Sequence, residues 1–243
     1  MGVQREPIFN VPGPVLALAG AFAAMHLLRY FLDTTADDAL VDLLAFNPLR
    51  YGGEGRELPG GSWAGPAAFL THAFLHGDVP HLVINSAWLL AVGSVIARRM
   101  PAVSFLGFFA LCGAGGALIF LALHPGLDVA VVGASGAISG LMAAALRLMF
   151  AAQDAETRDV LREHPEAAPR LSVRSMLTQS TPRTTIIAWV IINFVGAIAM
   201  SATGETAGAI AWEAHLGGFF TGLVAFDLFD RGRAEETPAA PAE

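Results

Sequence analysis

Four side chains in this 243-residue sequence have the types and spacing to do chemistry together. Ser135 stands in Gly133-Ala134-Ser135-Gly136, at the start of an apolar run that continues to Phe150. A serine hydroxyl is a poor nucleophile until a base within hydrogen-bond reach takes its proton, and histidine has the pKa for that task near neutrality. His215, in Ala214-His215-Leu216-Gly217-Gly218, is the candidate base. His81 and Asn85 are four residues apart and so share a helix face. They are candidate donors to a developing oxyanion, with the backbone N–H of Ser135 at a helix start as a third. The plainer alternatives are that His215 bonds a backbone carbonyl and that Asn85 caps or bridges helices.

The elements that must position these residues are membrane helices. With 54% hydrophobic and 14% charged residues and a mean hydropathy of +0.56, the chain is too apolar for an ordinary water-soluble domain. Six apolar segments are long enough for a hydrocarbon core of roughly 30 Å. They lie near residues 13–32, 79–97, 101–123, 134–150, 184–202 and 208–228. All 14 basic residues are arginine. With the N-terminus inside, Arg5, Arg98, Arg99, Arg158, Arg162, Arg170, Arg174, Arg183, Arg231 and Arg233 fall on the inner side, whereas Arg50 and Arg56 fall outside. Both termini are therefore expected in the cytoplasm. In that orientation Ser135, His81, Asn85 and His215 lie at similar depth near the outer face, where ionisable residues are costly and mark function.

Close approach of spans four and six is written in small residues. Gly133, Gly136 and Gly140 remove side chains from one, and Ala214, Gly218 and Gly222 form a stripe at i, i+4 spacing on the other. The expected organisation is a cytoplasmic segment 1–12, an all-α membrane domain 13–230 and a disordered cytoplasmic tail 231–243. Within the domain, an outer loop 33–78 carries Trp63, Phe69, Leu70 and Phe74 and is expected to dip into the membrane interface. An inner loop 151–183, with charges of both signs, reads as solvated and partly helical.

Several classes are disfavoured. A formal charge of −7 argues against nucleic acid. Cys112 is the single cysteine and reads as a buried small hydrophobe. His72 and His76 are four apart, but no Glu follows His72 to complete H-E-x-x-H, so no metal is expected; His76 is expected to hydrogen-bond the outer loop instead. Glu213, one residue before His215, points to another helix face, which leaves a Ser-His dyad as the simpler proposal. No internal repeat suggests a transporter, and polar residues gathered at one depth do not line a channel.

These motifs resemble those of the rhomboid intramembrane serine proteases: Gly133-Ala134-Ser135-Gly136 their G-x-S-G, His81 to Asn85 their H-x-x-x-N, and Ala214 to Gly218 their A-H-x-x-G. Motif order, six spans and a long first outer loop agree as well, so the resemblance covers roughly residues 13 to 228. It implies Ser135 as nucleophile, His215 as general base and then acid, and His81, Asn85 and the Ser135 amide as oxyanion hole, with no cofactor. It implies as substrate a transmembrane segment of another membrane protein, cut near its outer end, and as setting the lipid of a membrane, here expected to be a bacterial inner membrane. One departure is that Trp63 is followed by Ala64, where many members carry Trp-Arg. The alternative reading is a non-catalytic protein that binds membrane spans in the same groove; oligomeric state is left open.

Overall fold

The structure is a computed structural model that describes residues 11–52, 57–202 and 211–230. The expected cytoplasmic tail lies outside the described residues, as does most of the expected N-terminal segment. The regular elements of the described residues are all helical, with one isolated antiparallel bridge, Phe46 to Val131. In order the helices are α1 (Gly13–Tyr30), α2 (Thr34–Leu44), α3 (Gly61–Thr71), α4 (Val79–Trp88), α5 (Ser94–Arg99), α6 (Ala102–Leu123), α7 (Ser135–Ala151), α8 (Ala155–Glu163), α9 (Val173–Thr178), α10 (Ser180–Ala202) and α11 (Trp212–Phe229). A π-helical turn, Leu89–Gly93, joins α4 and α5 into one rod.

By length and composition, α1, the Val79–Arg99 rod, α6 and the Ser180–Ala199 part of α10 can each cross a membrane. The other two long helices are α7, with 17 residues, and α11, which carries Glu213, His215 and Asp227. Apolar side chains face outward along these helices, among them Leu28, Ile84, Leu118, Ile192 and Val224. Lipid tails satisfy such surfaces as well as a protein core does.

The centre of the molecule is the trio α6, α7 and α11, which pack most closely of all. Glycine permits this. A Cβ on Gly140 would lie 2.8 Å from the Gly218 carbonyl oxygen, and one on Gly217 would lie 2.8 Å from that of Gly115. Gly218 abuts the Gly136 carbonyl and Gly222 that of Gly140. Gly116 faces the Ala214 carbonyl, so α6 supplies a third small-residue face beside those of α7 and α11. Phe105, Phe108, Phe109, Leu141 and Phe226 then fill the core between these helices and the Val79–Arg99 rod.

The segment between α1 and α4 is built rather than slack. Asp33 caps α2, and Arg29 clamps the Asp37 carboxylate through two nitrogens at 2.7 and 3.0 Å while donating to the His76 carbonyl. Phe46, Tyr51 and Phe69 form an aromatic cluster beneath α3, and the Tyr51 hydroxyl donates to the Gly65 carbonyl. Trp63 and Leu70 project outward from α3.

The connection 151–183 is partly helical and the charges of α8 are exposed, but the stretch after α8 is docked onto the helices rather than solvated. Its α8 is exposed, yet Ala168, Arg170, Leu171 and Met176 are buried. Arg170 bonds Asp227 and Asp230, while Arg99 binds Asp230 and donates to the carbonyls of Pro165 and Ala168. Arg170 thus staples this segment onto the end of α11. Composition alone does not separate such a staple from a solvated face.

Candidate active site

Ser135 is the first residue of α7, preceded by a turn in which Gly133 has φ +111°. Two features hold that turn. The Gly133 amide donates to the His72 carbonyl at 3.0 Å, and Val131 pairs with Phe46, so the segment between α1 and α4 fixes the approach to the serine. As an N-terminal residue of the helix, Ser135 has no carbonyl one turn back to receive its N–H. Its own carbonyl accepts from Ser139 Oγ at 2.8 Å.

His215 lies one turn into α11, next to the stripe that meets α7. Its Nε2 is 2.7 Å from Ser135 Oγ, across 80 residues of sequence. Its Nδ1 is 2.8 Å from Asn193 Oδ1 on α10. Asn193 is the site residue that sequence reasoning missed. The signal available was a lone amide within an apolar span, and no motif attaches to it. Glu213 faces away and pairs with His124 at 3.0 Å.

His81 and Asn85 approach from α4. The Asp78 carboxylate accepts the His81 backbone N–H at 2.6 Å and so starts the helix there. His81 Nδ1 accepts a long bond from the Gly77 amide at 3.4 Å, which leaves the proton on Nε2. That nitrogen points at the serine turn: a Cβ on Gly133 would sit 2.6 Å from it and 3.8 Å from Asn85 Nδ2. One Asn85 N–H goes to the His81 carbonyl at 3.0 Å, and the amide has a second to offer. Gly133 thus differs from the helix-packing role expected of it, because its missing side chain makes room for His81 rather than for α11.

The two histidines set aside from a metal role are used in packing. His72 Nδ1 bonds the Ala68 carbonyl at 2.8 Å. The buried ring of His76 meets Phe22 at a tilt and His81 edge-on, each at 5.1 Å, and its backbone carbonyl accepts from Arg29 of α1. Among the described residues no group of three His, Cys, Asp or Glu is disposed to hold a metal. Chemically, the assembly places a hydroxyl against an imidazole nitrogen, with side-chain N–H donors facing the same turn.

No curated protein matches the chain closely enough to be named as a relative. The family model of the rhomboid domain matches residues 63–230, a stretch that contains all four residues and the helices that hold them. The chain is an integral membrane protein that belongs to the rhomboid family, whose members are typically intramembrane serine proteases.

Proposed function

We propose that this chain is a serine endopeptidase that cleaves transmembrane helices of other membrane proteins near their outer ends, with Ser135 as nucleophile and His215 as base. The observation that carries the reading is the 2.7 Å approach of His215 Nε2 to Ser135 Oγ at the start of α7. As Oγ bonds to the scissile carbonyl carbon, its proton passes to Nε2. The carbonyl oxygen becomes an oxyanion within reach of donors from His81, Asn85 and the Ser135 amide. Collapse breaks the C–N bond as His215 protonates the departing amine; water then attacks the acyl carbon, giving its proton to His215, and the C–O bond to Ser135 breaks as Oγ takes that proton back.

In this reading α7 and α11 are spans four and six, both termini are cytoplasmic, and the site opens to the outer side of a bacterial inner membrane. The arginine distribution supports the orientation. The test is cleavage of a reporter transmembrane segment by the purified protein in detergent and in liposomes. Ser135→Ala and His215→Ala are each expected to abolish cleavage and fluorophosphonate labelling while the protein stays folded. Cleavage by Ser135→Ala would overturn the reading. Retention of the reporter span by a wild-type protein that neither cleaves nor labels would assign a span-binding role instead.

A further inference from the structure

We propose that Asn193 is the positioning residue of the dyad: it fixes His215 in the tautomer whose Nε2 lone pair faces Ser135. This rests on the proteolytic reading for its purpose, but its geometry stands apart from activity. Asn193 lies half-buried on α10 and touches two groups. Its Nδ2 is 2.9 Å from the Trp189 carbonyl, and its Oδ1 is 2.8 Å from His215 Nδ1. A carbonyl only accepts, so the amide must turn its NH2 toward Trp189 and its oxygen toward the histidine. That oxygen only accepts as well, so Nδ1 must carry the proton. Nε2 is then the unprotonated nitrogen, and it is the one 2.7 Å from Ser135 Oγ.

The orienting residue is itself oriented. Trp189 is one helical turn before Asn193, and its indole stacks on Phe219 of α11 at 4.3 Å and 22°. The carbonyl that aligns the amide is therefore held against the same helix that carries His215. When Ser135 gives its proton to Nε2, the Nδ1–H stays in place and the amide oxygen faces the new imidazolium. An amide does this without a resident charge, which suits a site at membrane depth, where a carboxylate is costly. Glu213, the carboxylate nearest in sequence, is occupied with His124. His81 is the other titratable group that faces His215 from a packed element.

The experiment uses the full chain in detergent micelles with 15N-labelled histidine, the His215 signals being those lost in His215→Ala. The wild type is expected to show the Nδ1–H tautomer, and Asn193→Leu, which keeps the bulk, a mixture of tautomers. Against a reporter span, Asn193→Leu is expected to lower kcat about tenfold to a hundredfold, with KM unchanged. Asn193→Asp, which keeps an acceptor, is expected to retain more turnover than Asn193→Leu and guards against a leucine variant that fails to fold. An Nε2–H tautomer in the wild type, or wild-type kcat in Asn193→Leu, would overturn the proposal. A protein that cleaves nothing yet loses the Nδ1–H tautomer in Asn193→Leu would defeat the proteolytic reading and leave the orienting role intact.

Discussion

Gly218 of α11 meets Gly136 of α7 backbone to backbone: a Cβ on Gly218 would overlap the Gly136 carbonyl. This approach brings the start of α11 alongside the start of α7, and His215 and Ser135 sit at that shared end. Packing and chemistry are thus one device, since the helix separation sets the Ser135–His215 distance.

Gly218→Ala is therefore expected to force the two helices apart. Overpacking of this kind costs about 1–3 kcal/mol, read as a lower unfolding midpoint in detergent. In the proposed reading turnover is expected to fall further than stability, because His215 is drawn away from Ser135. Gly196→Ala on α10, where a Cβ meets nothing within 4 Å, is the matched control and should be neutral or mildly stabilising. Equal midpoints for the two variants would contradict the packing account.

The oxyanion side predicts a different pattern. In the proposed reading His81→Ala and Asn85→Ala each remove a donor and are expected to lower kcat roughly 100- to 1000-fold, with fluorophosphonate labelling slowed but, unlike that of Ser135→Ala, not abolished. Gly133→Ala is expected to be as damaging as either, for two reasons. Its φ of +111° is unfavourable for any residue with a Cβ, and that Cβ would press on His81 Nε2. Kinetics with a reporter span, measured with variants of normal unfolding midpoint, decide whether the loss is in kcat.

Much of this was legible in the sequence because membrane helices leave a strong trace. Long apolar runs located the helices to within a few residues, and the small-residue stripe from Ala214 to Gly222 announced a close helix partner. Ser135, His81, Asn85 and His215 stood out because a polar group in an apolar run needs a reason. Asn193 was polar in the same way, yet its meaning depends on α10 lying beside α11, a long-range fact that no local spacing encodes. Arg147, Arg170 and Asp227 were hidden for the opposite reason. Charges near helix ends and in connections are ordinary, so nothing local separated a buried network from a solvated face.

The clamp between Arg29 and Asp37 predicts a pH dependence. The paired hydrogen bonds to Arg29 hold the Asp37 carboxyl below its ordinary value, against some desolvation and with help from the charges of Arg29 and His26. A carboxyl lowered in the folded state contributes stability that is complete above the unfolded value, about 3.9, and that fades as pH falls through the lower folded value. Asp37→Asn is expected to be less stable by about 0.5–1 kcal/mol at neutral pH. Unfolding midpoints across an acid series should converge for the variant and the wild type as the wild-type carboxyl protonates. A difference that persists unchanged into acid would mean that the pair contributes through packing alone.

Among the described residues Arg147 is the largest fully buried side chain, and it makes four hydrogen bonds. Nε donates to the Leu171 carbonyl, one terminal nitrogen to the Leu223 carbonyl and the other to both oxygens of Asp227. It therefore joins α7, the docked connection after α8 and the end of α11 at one point. Arg147→Leu would leave the Leu171 and Leu223 carbonyls short of a partner, each at about 1–3 kcal/mol, while the half-exposed Asp227 keeps Arg170. Asp227→Asn should cost less, since its side chain is 43% exposed and the amide oxygen still accepts from Arg147 or Arg170. Chemical unfolding in detergent should rank Arg147→Leu well below Asp227→Asn, and limited proteolysis should open residues 164–179 first in the arginine variant. The reverse ranking would mean that the carboxylate, rather than the guanidinium with its carbonyl partners, organises this end of the helix trio.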